Sequence, residues 1–231
     1  IARDDDPQYG ERGYFLKAIE NRFGPLAGKS VVELGGCSSY RLMSLAKFRH
    51  MRATAIDYSE VGIERSKKFF QAHGCNVELI CSDFFSPALN DRRFDLVTHW
   101  GVLEHQVDPF PLIKRSVEFT APGGKVVFGM PQMRGPGAWL WKQLSPRSWR
   151  CHIHHADNII CRRFSSFGWA CKRIFWGEPF IHMTPCESTG LIPSVAAFAQ
   201  KWARRSALLK IPYQYGLPYL SLNRGFVGWK K

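Results

Sequence analysis

Short apolar runs alternate with amphipathic stretches from residue 31 to residue 128, and this alternation predicts strands separated by helices. Val31 to Leu34 is an apolar run closed by Gly35 and Gly36. Ser38 and Ser39 follow, placed to cap a helix that carries Leu42, Leu45 and Ala46 at helical spacing. Ala53 to Ile56 predicts a second strand ending at Asp57, after which Ser59 can cap a helix whose Ile63, Lys67 stem and Phe70 share a face. Val77 to Ile80, Phe94 to Thr98 and Lys125 to Phe128 predict the third, fourth and fifth strands. Ala170 to Trp176 and Tyr219 to Trp229 are two further strand-like stretches. The pattern describes an α/β fold: a doubly wound, mostly parallel seven-stranded sheet of Rossmann-like type, with a helical and loop cap inserted late in the chain. One domain over residues 1–231 is expected, with residues 1–130 as its ligand-binding half and 131–169 and 177–218 as cap segments.

Composition narrows the class. With 45% hydrophobic and 22% charged residues and no low-complexity tract, the 231-residue chain is neither disordered nor fibrous. No apolar run approaches the roughly 18 residues of a spanning helix, and the polar first ten residues do not resemble a signal peptide. Seven scattered cysteines make poor material for a disulfide framework, so a reducing, cytoplasmic location is expected. Charge is divided unevenly. Residues 1–111 hold 14 Lys+Arg against 15 Asp+Glu (net −1), while 112–231 hold 18 against 4 (net +14). A basic second half beside a neutral first half points to an anionic acceptor, an anionic membrane surface or nucleic acid. Two aromatic, cationic stretches support the membrane-peripheral alternative. Gly135 to Arg150 carries Trp139, Trp141 and Trp149; Ser194 to Lys210 places Val195, Phe198, Ala199, Trp202 and Leu209 at helical spacing beside Lys201, Arg204, Arg205 and Lys210. An ordinary core-facing helix with a solvated basic side explains the second stretch equally well.

In doubly wound sheets ligands bind beyond the carboxyl ends of the strands, so the residues that end each strand carry the candidate chemistry. Glu33-Leu34-Gly35-Gly36-Cys37-Ser38-Ser39 places a turn of small residues before a helix N-terminus. Asp57 ends the second strand 22 positions after Gly35, near the spacing at which a carboxylate accepts from ribose hydroxyls. Asp83 ends the third strand and can accept from an exocyclic amine. A turn, a ribose acceptor and a base-edge acceptor describe an adenosine pocket.

Five motifs in order, Val31 to Ser39, Ala55 to Ser59, Cys81 to Phe84, Phe94 to His105 with Asp108-Pro109, and Ala121 to Phe128, resemble those of the class I S-adenosylmethionine-dependent methyltransferases. The resemblance covers most of residues 9 to 130 and implies that Ala170 to Trp176 and Tyr219 to Trp229 are the last two strands of the sheet, the latter antiparallel and inserted at the edge. It implies S-adenosylmethionine as cofactor, with Glu33, Gly35, Gly36 and Cys37 at its amino-acid end, Asp57 and Tyr58 at the ribose, Ser82, Asp83 and Phe84 at the adenine, and Trp100 and Gly101 beside the methyl group. The family usually has further glycines where this chain has Cys37 and Ser39, which implies a wider turn or a shallower cofactor. Some quinone-precursor members use a Glu-x-x-Glu-His metal site in the fourth-strand segment; here its first position is Gly101, and no metal is expected.

Methyl transfer to a hydroxyl requires a proton acceptor, and histidines supply the candidates. His105 follows Glu104 after the fourth strand; His154 and His155 belong to the Cys151 to Asp157 cluster, which lacks the paired elements of a zinc site. The expected activity is transfer of a methyl group, most readily to oxygen, onto a small-molecule, glycan or lipid-linked acceptor. A nucleic-acid methyltransferase fits the charge, but base-modifying members usually have an Asn- or Asp-Pro-Pro-aromatic segment where this chain has Thr98-His99-Trp100-Gly101. A non-catalytic binding subunit is the third alternative.

Overall fold

A computed structural model describes residues 9–175, 195 and 223–231. The expectations on the Ser194 to Lys210 helix, on cap segment 177–218 and on the start of the last strand lie outside the described residues, Val195 apart. Seven strands, β1 (Ser30–Leu34), β2 (Arg52–Asp57), β3 (Val77–Cys81), β4 (Phe94–Trp100), β5 (Thr120–Pro131), β6 (Trp169–Phe175) and β7 (Asn223–Lys230), form one sheet in the order β3-β2-β1-β4-β5-β7-β6. β1 to β5 run parallel, and β7 runs antiparallel between β5 and β6. The expected doubly wound sheet with one antiparallel strand is therefore present. The order in which strands are added to the sheet reverses between β1 and β4, where Leu34 sits beside both Ile56 and His99, so the carboxyl ends of β1, β2 and β4 open on one crevice.

Alternation along the central strands sends neighbouring side chains to opposite faces. Val31 and Leu96 pack with α1 (Tyr14–Phe23), α2 (Tyr40–Arg49) and α3 (Glu60–Ala72), through Leu16, Ile19, Leu42, Leu45 and Phe70. Val32, Leu34 and Val97 face the other way, toward α4 (Phe110–Glu118) and α7 (Asp157–Ser165). There Leu112, Ile113, Ile160 and Phe164 are fully buried, each worth about 1.5–3 kcal/mol relative to exposure. Phe128 stacks between Phe164 at 5.8 Å and Phe226 at 5.1 Å, joining α7 to the antiparallel strand.

Both predicted serine caps form. Ser39 Oγ accepts from the Leu42 N–H at 3.2 Å and Ser59 Oγ from the Gly62 N–H at 3.0 Å. The face expected for α3 shifts: Lys67 is exposed and Ser66 is buried in its place. Ser66 Oγ donates to the Gly62 carbonyl and accepts from the Ser38 N–H, both at 2.8 Å, so it braces the turn after β1 and not the core. The expected cap segment 131–169 divides in two. α5 (Pro136–Leu144) and α6 (Pro146–Arg150) lie beyond the sheet edge in sequence, whereas α7 is a full member of the helical layer because Ile160 and Phe164 fill the core. Within the hairpin of α5 and α6, Ala138, Trp141 and Leu144 are buried, and Trp141 meets Trp149 edge-on at 5.1 Å. Trp139 is 65% exposed. Among the described residues no helix is long and apolar enough to cross a membrane.

Candidate active site

The turn after β1 is set by backbone constraints. Gly35 has φ +69°, donates its N–H to the Ile56 carbonyl at 2.9 Å, and lies so close to Val102 that a Cβ would come within 2.9 Å of Cγ2. Only glycine meets both demands. Glu33 at the end of β1 is buried and accepts from Ser39 Oγ at 2.9 Å; burial pushes its carboxyl up to about 7. Ser39, standing where the family has a glycine, thus caps α2 and fixes Glu33 together. Cys37, the other departure, packs its thiol against α3: a Cβ on Gly62 would lie 2.4 Å from Cys37 Sγ. Burial and the adjacent Asp57 carboxylate push this thiol up to about 11, so it is neutral at pH 7. A glycine in α3 accommodates the cysteine.

Asp57 is half-buried at the end of β2, its Oδ1 accepting from the Ser59 N–H at 2.9 Å, with exposed Tyr58 beside it. The Asp57 carbonyl accepts from the Ser82 N–H at 2.9 Å, which ties the ends of β2 and β3 together. Asp83 is exposed, and its Oδ1 accepts from the Phe85 N–H at 2.9 Å. The loop that follows is held from below by a residue the motifs do not contain. Arg115 of α4, buried to 6% exposure, donates to the Phe84 carbonyl at 2.6 Å, to Asn90 Oδ1 at 2.8 Å and to the Ser86 carbonyl at 3.0 Å. One guanidinium fork fixes Phe84, Ser86 and Asn90 relative to the helix.

At the end of β4, Trp100 meets Phe15 edge-on at 5.9 Å and carries the Arg41 guanidinium 4.7 Å above its ring. Arg41, in the first turn of α2, therefore brings a cation to the mouth of the crevice beside Gly101, which is exposed with φ +72°. Next comes a short 3-10 turn, Leu103–His105, and α4 begins five residues later. Burial pushes the Glu104 carboxyl up to about 7.

The histidine cluster docks on this turn. His105 Nδ1 donates to the Cys151 carbonyl at 2.9 Å, the Ile153 N–H donates to the Glu104 carbonyl at 2.7 Å, and His155 Nε2 donates to the Gln106 carbonyl at 2.9 Å. These three hydrogen bonds bring His105, His154 and His155, separated by up to 50 positions, to one edge of the crevice. His155 is buried and its bonded nitrogen is committed to backbone. His154 differs: both ring nitrogens are enclosed without a hydrogen-bond partner, and burial together with nearby Arg224 and Arg134 holds it below the usual imidazole range. Buried Arg224 of β7 anchors the cluster from behind by donating to the Asp157 carboxylate and to the His155 carbonyl.

Glu33, Gly35, Asp57 and Asp83 thus line the ends of adjacent strands, and the cap histidines approach from the β4 side. Residues 32–128 match a family model described as a methyltransferase domain. The match spans 97 of the chain's 231 residues. The chain is 33% identical over 113 residues to a ubiquinone biosynthesis O-methyltransferase of Coxiella burnetii, covering 49% of this chain and 47% of the relative. A Pseudomonas fluorescens protein of the same name is 32% identical over 125 residues, covering 53% and 52%. The chain spans about half the length of these curated relatives. Solved structures carry the fold across nearly all of it. Magnesium protoporphyrin IX methyltransferase from Synechocystis PCC 6803 with bound SAH superposes at a TM-score of 0.61, covering 94% of this chain and 80% of that one at 14% identity. The YcgJ protein of Bacillus subtilis gives 0.62, covering 94% and 98% at 15% identity.

Proposed function

We propose that the chain is a methyltransferase that moves a methyl group from S-adenosylmethionine to a hydroxyl oxygen of a small acceptor. The relatives named as O-methyltransferases support the oxygen chemistry, and the cap histidines docked on the turn after β4 support a proton acceptor beside the crevice. The residues present fit the donor: the cradle at Gly35 admits no Cβ, and carboxylates stand at the ends of β1 and β2 and just beyond β3. Glu33 and the turn Gly35 to Cys37 hold the amino-acid end, Asp57 with Tyr58 the ribose, and Ser82, Asp83 and Phe84 the adenine. When bound, S-adenosylmethionine supplies an electrophilic methyl group on a sulfonium centre.

The chain's own task is to position the acceptor, exclude water and take a proton. His154 is the proton acceptor in this reading, because neither of its ring nitrogens is committed to a backbone partner, unlike the bonded nitrogens of His105 and His155. His105 and His155 hold the cap in place. Arg41 above Trp100 and Arg134 near His154 suit an acceptor bearing an anionic group. The test is transfer of label from methyl-labelled S-adenosylmethionine into a small-molecule extract. His154→Ala is expected to lower turnover by about 10²- to 10⁴-fold with donor affinity near that of the wild type. Label appearing on RNA in place of small molecules, or full turnover in His154→Ala, contradicts the reading.

A further inference from the structure

Two cysteines outside the sequence motifs face each other across α7 and β6, which pack together along one register. At one end Arg173 of β6 donates to the Asp157 carboxylate of α7. Toward the other end Phe164 packs on Trp169, with ring centroids 6.3 Å apart. Four residues along a helix advance about 6 Å and two along a strand about 6.6 Å, so the step from Asp157 to Cys161 matches the step from Arg173 to Cys171. The register therefore sets Cys161 opposite Cys171. Hydrogen bonding agrees, because the Cys161 thiol donates to the Cys171 carbonyl at 3.7 Å. Burial pushes the Cys171 thiol up, and the neighbouring Cys161, by charge and by hydrogen bonding, pushes it further.

The third strand in this contact supplies the room. Gly228 of β7 pairs with Cys171, and a Cβ on it would come within 2.5 Å of the Phe164 ring. The missing side chain lets α7 settle onto the sheet at the level where the two short thiol side chains meet. Both cysteines are free thiols and partly exposed, so a small reagent reaches them. We propose that Cys161 and Cys171 are a modification site for low-molecular-weight disulfides of the glutathione class, which convert the pair to a reversible disulfide that fastens α7 to β6. The Cys161 thiolate attacks a sulfur of oxidised glutathione, forming a mixed disulfide and expelling one glutathione; Cys171 then attacks the Cys161 sulfur and expels the second. Two electrons pass from the protein sulfurs to glutathione, and the two thiol protons end on the two expelled glutathiones. The fastened helix starts at Asp157, which holds buried Arg224, and Arg224 in turn donates to the His155 carbonyl of the cap.

The pair shares no residue with the methyl-transfer reading and does not depend on it. To test it, the full chain is held in buffers of graded oxidised-to-reduced glutathione, quenched with an alkylating reagent and mapped by peptide mass spectrometry, and its thermal midpoint is read at each ratio. A Cys161–Cys171 cross-linked peptide is expected, lost again in excess reduced glutathione. The cross-linked chain should melt above Cys161→Ser held in the same buffer. Cys161→Ser and Cys171→Ser should each abolish the cross-link. Serine at 161 keeps a donor for the Cys171 carbonyl, so the reduced midpoint of Cys161→Ser should stay near that of the wild type. Glutathione retained on either cysteine without a cross-link, a cross-link to any other cysteine, or a cross-linked chain that melts no higher than the serine variants would overturn the proposal. The wild-type peptide map decides the pairing even if a variant fails to fold. S-adenosylmethionine titrated into the same samples reports on the donor pocket separately, so either reading can fail alone.

Discussion

Cys37 shows how a single departure from a family pattern is absorbed. Its thiol fills space that Gly62 leaves open, and the two residues are 25 positions apart on different elements. Gly62→Ala should therefore overpack the junction and destabilise the fold by about 1–3 kcal/mol in chemical denaturation, while Cys37→Gly in the same chain should restore most of that loss. Two buried titratable groups pull stability in opposite directions with pH. Burial holds His99, fully enclosed on β4 and stacked on Phe128 at 4.6 Å, at about 3 in place of 6.5. The unfolded chain then binds more protons between about pH 3 and 6.5, so this contribution is lost as pH falls through that window. Glu33, raised from 4.5 to about 7, makes the folded chain bind more protons between those values, so stability falls as pH rises through them. His99→Leu should flatten the acid side, by up to about 1.4 kcal/mol per pH unit below 6.5, and Glu33→Gln the neutral side; denaturation midpoints across pH 4–8 check both. The caps at Ser39 and Ser59, and the places of Asp57 and Asp83 at or just past strand ends, were legible in the sequence because each depends on neighbours within a few positions. The accommodation of Cys37 was not, because nothing local to residue 37 announces Gly62.

At the level of elements, the strands announced themselves because their apolar runs are short and closed by turn residues. Boundaries moved by one or two residues for β1 to β4, and β5 starts at Thr120 because the Pro122-Gly123-Gly124 stretch joins the strand. The contacts that lock elements together were not legible. Arg115 reaches Phe84 from 31 positions away, and Asp157 meets Arg224 from 67. Arg115→Ala strands three acceptors in the loop that follows Asp83 and is expected to weaken S-adenosylmethionine binding by about 10-fold along with a lowered thermal midpoint, measured by calorimetry and melting. Asp157→Ala leaves Arg224 buried without its counter-charge. Since Asp157 is itself partly exposed, a loss of about 2–3 kcal/mol in denaturation is expected, below the range for a fully buried pair. The histidine cluster is the clearest case of partial legibility. Its residue types flagged it, but its place over the β4 turn depends on pairing between residues 104–106 and 151–155.

Across the whole molecule, a near-neutral half that holds the proposed donor crevice is joined to a half of net +14. The hairpin of α5 and α6 turns Trp139, Lys142, Arg147 and Arg150 outward, a cationic and aromatic surface near the cap. If it meets an anionic interface, co-sedimentation with anionic vesicles should fall steeply as salt is raised and be weak with neutral lipid; a chain that stays in the supernatant at low salt assigns those charges to a soluble acceptor. The donor crevice carries the central claim, and titration calorimetry of S-adenosylmethionine into the full chain tests it most directly. Saturable binding of one molecule per chain is expected. Asp57→Ala should weaken it by about 10- to 150-fold, or about 1.5–3 kcal/mol. No saturable binding to the wild type, or unchanged affinity in Asp57→Ala, would contradict the account.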